Sequence, residues 1–281
     1  MQTLLPFFGV IEVSGDDRHD FLHNQFSNDI NHLSENQACY ATYNTPKGRV
    51  IANMIVVNSG SVIHLILAAD LVEKIVKRLK MFVLRAKVQL DILSDWGVSG
   101  SLKDDAQPIF PSEPHLQLGI NELGEIQLPH SGCLKIAPKN ELPTHHVAAE
   151  SRWNTHEILS GYPWICAATT ETCVAQMLNQ HNIGGVHFRK GCYPGQEIIA
   201  RAQYRGQVKR GLAIARNPNP QIAGAPVQDA NGEEAGLVLN SVGDLNLLVV
   251  KYGVVSSELR DVSGSVFALE HCFFKLNQSE E

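Results

Sequence analysis

From Gly206 onward the sequence stops offering helices. The runs "VKRGLAIAR", "APVQDANGEEAGLVLNSV", "LNLLVVKYGVV" and "SVFALEHCFFKL" are β-rich and are cut by Asn-Gly and Gly-Asp turns, with no helical apolar spacing among them. Short strands punctuated in this way predict a small antiparallel barrel or sandwich over residues 206–281. Residues 1–205 mix both periodicities, so the 281-residue chain is expected to divide at about that point into an α+β part and a β part.

Within the first part, "GVIEVSG" alternates as a strand. "DDRHDFLHNQFSNDI" follows with Phe21, Leu22, Phe26 and Ile30 at helical spacing and Asp17 as the expected N-cap. "GRVIANMIVV" and "SVIHLILAA" flank "NSG" as the arms of a hairpin. "DLVEKIVKRLKMFVL" carries one apolar stripe, with Asp70 and Glu73 placed as a capping box. Residues 104–114 read as a linker or long loop. "AESRWNTHEILSG" predicts a helix stopped by Gly161 and Pro163.

Composition excludes several classes. Net charge is −6, with a pI near 6.0, which argues against a dedicated nucleic-acid binder. No apolar run approaches the roughly 20 residues of a membrane helix. The N-terminus has no basic n-region and reads as a first strand rather than a signal peptide. The six cysteines form no C-x-x-C pair and have no close histidine at zinc spacing, so free thiols in a reducing cytoplasm are expected.

The stretch "RKGCYPGQE", Arg189 to Glu197, concentrates the chemistry. Between Arg189 and Arg210 six basic residues face one acid, Glu197, a local balance of +5 suited to an anionic ligand or to a solvated helix face. Arg189 and Lys190 would favour a thiolate at Cys192. So would the helix expected from about Gly195, whose free N–H groups attract an anion. Local physics leaves Cys192 open between that role and a small buried apolar side chain. No His–Asp pair lies close in sequence to act as a base, and one thiolate does not hold a metal cluster unaided.

"FRKGCYPGQEIIARAQYRG" resembles the defining motif of the YgfZ-type folate-binding proteins, K-G-C-Y/F-x-G-Q-E followed by A-R and R-G. "CVAQMLNQHNIGGVHF", "EILSGYP", "NQFSNDI" and "YNTPKGRVIANMIVV" are similar to further blocks of that family, so the likeness runs through nearly the whole chain. The resemblance implies the fold of the glycine cleavage aminomethyltransferase, or T-protein. That fold has three lobes around a central folate-binding hole, two of them α+β (here 1–205) and the last a β-barrel (here 206–281). It also implies tetrahydrofolate binding and support for the assembly or repair of iron–sulfur enzymes, tRNA-modifying ones among them. Direct tRNA binding is permitted by the basic strip but not favoured by the acidic whole.

Carried over by position, the folate-contacting aromatics fall at Phe8, where a well-matched relative has tryptophan, and at Trp153. The motif's functional lysine and cysteine fall at Lys190 and Cys192, and its Gln-Glu at Gln196 and Glu197. Pro194, Ala175 and Cys173 depart from the usual residues. The aspartate that aminomethyltransferases use for proton handling aligns at or next to Asn53. An amide cannot supply that carboxylate, so one-carbon transfer is the less favoured alternative.

Overall fold

The computed structural model describes residues 2–111, 113–206 and 208–274. The first part runs β1 (Gln2–Leu4), β2 (Phe8–Ser14), α1 (Arg18–Gln25), β3 (Gln37–Asn44), β4 (Val50–Asn58), β5 (Ile63–Ala68), α2 (Val72–Val83), β6 (Gln89–Ile92) and β7 (Trp96–Leu102). It continues with β8 (Leu118–Gly119), β9 (Ile126–Gln127), β10 (Gly132–Pro138), α3 (Val147–Ser160) and α4 (Gln196–Tyr204). Then come β11 (Arg210–Arg216), β12 (Pro226–Gln228), β13 (Glu234–Val242), β14 (Leu245–Lys251), β15 (Leu259–Arg260) and β16 (Val266–Cys272). No helix among the described residues is long and apolar enough to cross a membrane.

The strands form three bodies. A six-stranded sheet has the order β6-β2-β5-β4-β3-β8, a four-stranded sheet has the order β1-β7-β10-β9, and β11-β14-β13-β12-β15-β16 closes into a barrel. All strand pairs are antiparallel. The expected hairpin is β4–β5, paired from Ile55↔Ile66 to Asn58↔Ile63. Every residue of β4 is buried, which is why its sequence is an apolar run rather than an alternation.

The barrel shows the complementary pattern. On β11, Ala213 and Ala215 belong to the barrel interior, while Leu212 and Ile214 join the core beneath the six-stranded sheet. Leu247 and Val249 on β14 join that same core, and Leu248 and Val250 line the interior. Both faces of these strands are therefore apolar, and the barrel wall completes the core of the first sheet.

Two expected helix caps are used otherwise. Asp17 makes no side-chain cap to α1, and its Oδ2 instead accepts from the Lys87 backbone N–H at 2.7 Å. Asp70 accepts from Ala167 N–H at 3.0 Å, and a short 3₁₀ turn over Ala69–Leu71 leads into α2 without a side-chain cap. In both places a partner distant in sequence takes the carboxylate that local pattern assigns to the helix. The stop after α3 is as expected, with Gly161 left-handed at φ 74°.

Sequence blocks that resemble the family meet in space. Ser27 Oγ donates to Gly185 O at 2.5 Å, and Asn28 Nδ2 donates to Tyr40 O and Gly184 O at 2.7 and 2.9 Å. "NQFSNDI" thus anchors the segment that leads into the cysteine loop. The turn of "NTPKGRV" lies against the turn of "PGQE". A Cβ added at Gly195, whose φ is +81°, would stand 2.6 Å from Thr45 O and 2.7 Å from Gly48 Cα. Both obstacles are backbone. Gly195→Ala is therefore expected to lower stability by at least about 2 kcal/mol, read as a lower urea midpoint at unchanged m-value. An unchanged midpoint would mean that the two turns do not depend on this contact.

Candidate functional site

A cavity of about 280 Å³ opens between the start of β2, α3 with the segment after it, and the barrel. Phe7 and Phe8 enter it at the start of β2, Glu157 comes from α3, Tyr162 and Trp164 from the segment after α3, and Asn240 from the barrel strand β13. Phe7, Phe8, Tyr162 and Trp164 are its aromatic lining, and aliphatic and polar residues make up the rest. The Trp164 ring meets Phe8 edge-on, with centroids 4.7 Å apart and planes at 83°.

The segment 163–165 is held from both sides by asparagine. Asn53 on β4 donates from Nδ2 to Pro163 O and accepts from Ile165 N–H at Oδ1, both at 2.8 Å. Asn240 on β13 accepts from Trp164 N–H at 3.0 Å and donates to Trp164 O at 3.1 Å. Three consecutive residues are thus pinned between the first sheet and the barrel. Asn53 is buried and its amide makes one bond in each direction, a pattern a carboxylate cannot reproduce because it has no N–H to offer Pro163.

Pinning Trp164 fixes the one acid in the cavity. The Trp164 indole N–H donates to Glu157 Oε2 at 2.8 Å. Glu157 Oε1 is buried without a hydrogen-bond partner, as are both ring nitrogens of His130 and the Trp153 indole nitrogen. Oε1 lies 3.7 Å from His130 Nε2. Burial pushes the Glu157 carboxyl up to about 8, an effect the Trp164 N–H offsets only in part. Burial, with His156 as the second cause, pushes His130 down to about 3. The free protein therefore holds both groups uncharged at neutral pH. Glu157 is the acid among the residues lining the cavity, while its unpartnered oxygen is buried beside His130, which does not line it.

The cysteine loop is a separate place. Cys192 is exposed and is not among the residues lining the cavity. Lys190, expected beside it on a basic surface, is buried at 8% exposure. Its ammonium donates to Phe26 O at 2.6 Å and also to His23 O, tying the loop to the end of α1. Burial pushes this lysine down to about 8, with Asp29, Cys39 and Cys192 pulling the other way. Gln196 Nε2 reaches back to Gly191 O at 3.4 Å and Glu197 points to solvent. Arg189, Arg201, Arg205 and Lys209 are exposed, whereas Arg210 is half-buried and paired with Glu234 at 2.8 Å.

Of the two aromatics expected at a ligand, Phe8 lines the cavity and Trp153 does not. Trp153 is 1% exposed and packs in the core between α3 and the four-stranded sheet, over Gly100 and Gly132. The tryptophan on the cavity wall is Trp164. Sequence reasoning missed Glu157, Trp164 and Asn240. A signal for the first was present in α3, whose buried face includes His156 and Glu157 where an ordinary core helix has apolar side chains.

No family model matches the chain. Among solved structures, the glycine cleavage system aminomethyltransferase T from Bartonella henselae overlays 95% of this chain and 83% of its own length, with a TM-score of 0.63 at 15% identity. The protein therefore has the T-protein fold, with its closed C-terminal barrel. Among curated proteins, the tRNA-modifying protein YgfZ of Colwellia psychrerythraea is 33% identical over 226 residues, covering 74% of this chain and 69% of the relative. YgfZ of Hamiltonella defensa is 27% identical over 74% of this chain and 68% of its own. A Haemophilus influenzae protein is 29% identical over 90% of each. The chain belongs to the YgfZ family.

Two outcomes test this site. Asn53→Asp replaces a satisfied amide by a buried carboxylate facing Pro163 O, and is expected to cost at least about 2 kcal/mol in urea unfolding at pH 7. A cost near zero would mean that the 163–165 segment is held by other contacts. The second concerns pH. The unfolded chain loses the Glu157 proton in the ordinary carboxylate range, while the folded protein keeps it up to about 8. The folded state binds the extra proton between those values, so its stability falls as pH rises through that window. The melting temperature of Glu157→Gln relative to wild type should therefore climb between about pH 5 and about pH 8. A constant difference across that range would mean that Glu157 is ionised in the folded protein.

Proposed function

We propose that this protein binds tetrahydrofolate in the central cavity and acts as an accessory factor in the assembly or repair of iron–sulfur enzymes, tRNA-modifying ones included. Cys192 is its working thiol. The observation that carries the folate half is Glu157, a buried carboxyl fixed by the Trp164 indole on the lining of a cavity that Phe7, Phe8, Tyr162 and Trp164 share. A pterin offers adjacent N–H donors on one edge of a flat ring, which is the complement of a carboxylate between aromatic walls. Phe8 and Trp164 would supply ring contact and Glu157 the polar one. Tetrahydrofolate, when bound, supplies a carrier for one-carbon units, and the residues named here bind and orient it.

The tRNA-modification half rests on family membership, since relatives carry the name tRNA-modifying protein. The place of the thiol rests on its exposure in the family's motif loop. A cytoplasmic setting accords with the six cysteines, none of them placed in a disulfide. Asn53 counts against one-carbon transfer, because its amide holds Pro163 and Ile165 and supplies no carboxylate.

Binding carries its own signature. Glu157 is uncharged in the free protein at neutral pH, and an N–H donor pair restores the carboxylate, so binding releases a proton. Calorimetry with tetrahydrofolate at pH 7 should give an apparent enthalpy that varies with the ionisation enthalpy of the buffer. Glu157→Gln should abolish that variation and weaken binding about ten-fold or more, the worth of one charge-assisted bond. Cys192→Ser should bind as wild type does. Absence of tetrahydrofolate binding, or full affinity in Glu157→Gln, would overturn the assignment of the cavity.

A further inference from the structure

The turn of the β4–β5 hairpin links a serine, a histidine and a glutamate through one imidazole ring. Ser59 lies in the turn and is exposed, His64 is the second residue of β5, and Glu12 pairs with it from β2. Ser59 Oγ is 3.0 Å from His64 Nδ1, within hydrogen-bond reach. On the other side of the ring, His64 Nε2 stands 3.6 Å from Glu12 Oε2. The imidazole is buried and stacks on Trp96, with centroids 5.3 Å apart and planes at 23°.

The turn that carries Ser59 is braced. Ser59 N–H donates to Val62 O, and Asn58 Oδ1 accepts from Gly60 N–H, both at 3.0 Å. Asn58 Nδ2 donates to Leu33 O at 2.8 Å, and the Arg18 guanidinium donates to Gly60 O. A fixed backbone therefore presents the hydroxyl to the ring.

The tautomer follows from the partners. A carboxylate offers no proton, so Nε2 carries one toward Glu12 and Nδ1 keeps its lone pair for the Ser59 O–H. Glu12 is the charged group facing the ring from β2. Val57 of β4 pairs with His64 on the other side, and Asp91 of β6 pairs with Glu12 one strand further out. Burial lowers His64 below its ordinary range by more than Glu12 raises it, so the ring can accept a proton at pH 7.

We propose that Ser59 is an acyl-accepting nucleophile, with His64 as its general base and Glu12 as the positioning residue of that base. The Ser59 O–H bond breaks as its proton passes to His64 Nδ1, and the oxygen attacks the carbonyl carbon of an activated ester. The tetrahedral adduct collapses, the bond to the leaving oxygen breaks, and that oxygen takes the proton from Nδ1. Ser59 is left as an O-acyl ester. Water, deprotonated by the same ring, cleaves it to a free acid and returns the serine. The inference goes beyond the folate reading and depends neither on the cavity nor on Cys192.

The probe is p-nitrophenyl acetate on the full chain, with acetyl groups located by tandem mass spectrometry on the hairpin peptide. Ser61 is the internal control, exposed in the same turn and without a histidine contact among the described residues. At pH 7 the wild type is expected to acetylate Ser59 about a hundred-fold faster than Ser61. His64→Gln should bring that ratio to about one. Glu12→Gln should lower it about ten-fold and move the pH midpoint of Ser59 acetylation downward, since Glu12 raises the proton affinity of the ring. An unmoved midpoint would remove Glu12 from its role. Glu12 is partly exposed, so Glu12→Gln keeps the proposal testable if His64→Gln folds poorly. A ratio near one in the wild type would overturn the nucleophile, and a ratio unchanged in both variants would overturn the base.

Discussion

Two asparagines hold a three-residue segment between a sheet and a barrel, and the cavity exists because they do. Asn53 and Asn240 satisfy Pro163 O, both backbone groups of Trp164, and Ile165 N–H with four hydrogen bonds. None of these groups belongs to a helix or a ladder. Buried and unpaired, each would cost on the order of 1–3 kcal/mol. Paired, they make the segment a fixed wall, from which the Trp164 indole reaches Glu157. The aromatic lining and the shifted carboxyl both follow from that wall.

The same arrangement accounts for an amide rather than an acid at position 53. A carboxylate at position 53 could accept from Ile165 but would repel Pro163 O. Position 53 is a structural clamp, and the acid on the cavity lining is Glu157 of α3.

Legibility in the sequence followed the range of the forces involved. The β4–β5 hairpin, the α2 stripe, the stop at Gly161 and the all-β C-terminal part could be read because each depends on neighbours within a few residues. Asp17 and Asp70 could not, because their carboxylates bond to Lys87 and Ala167, far along the chain. Trp153 and Trp164 are both buried tryptophans, and only the packing of α3 against the four-stranded sheet decides which one reaches the cavity. The loop of Cys192 stood out through its motif. Its tie to α1 stayed hidden, since the Lys190 ammonium bonds to the carbonyls of His23 and Phe26, far back along the chain.

The apolar outer wall of the barrel has a consequence for how the molecule holds together. Leu212, Ile214, Leu247 and Val249 belong to the same buried cluster as Ile51, Met54 and Leu65 of the first sheet. A cleavage of the polypeptide between the two parts would leave each fragment with a greasy flank matched only by the other. Such fragments should stay clasped after nicking and precipitate when made apart, so gene fusion or truncation at this seam yields no free-standing barrel.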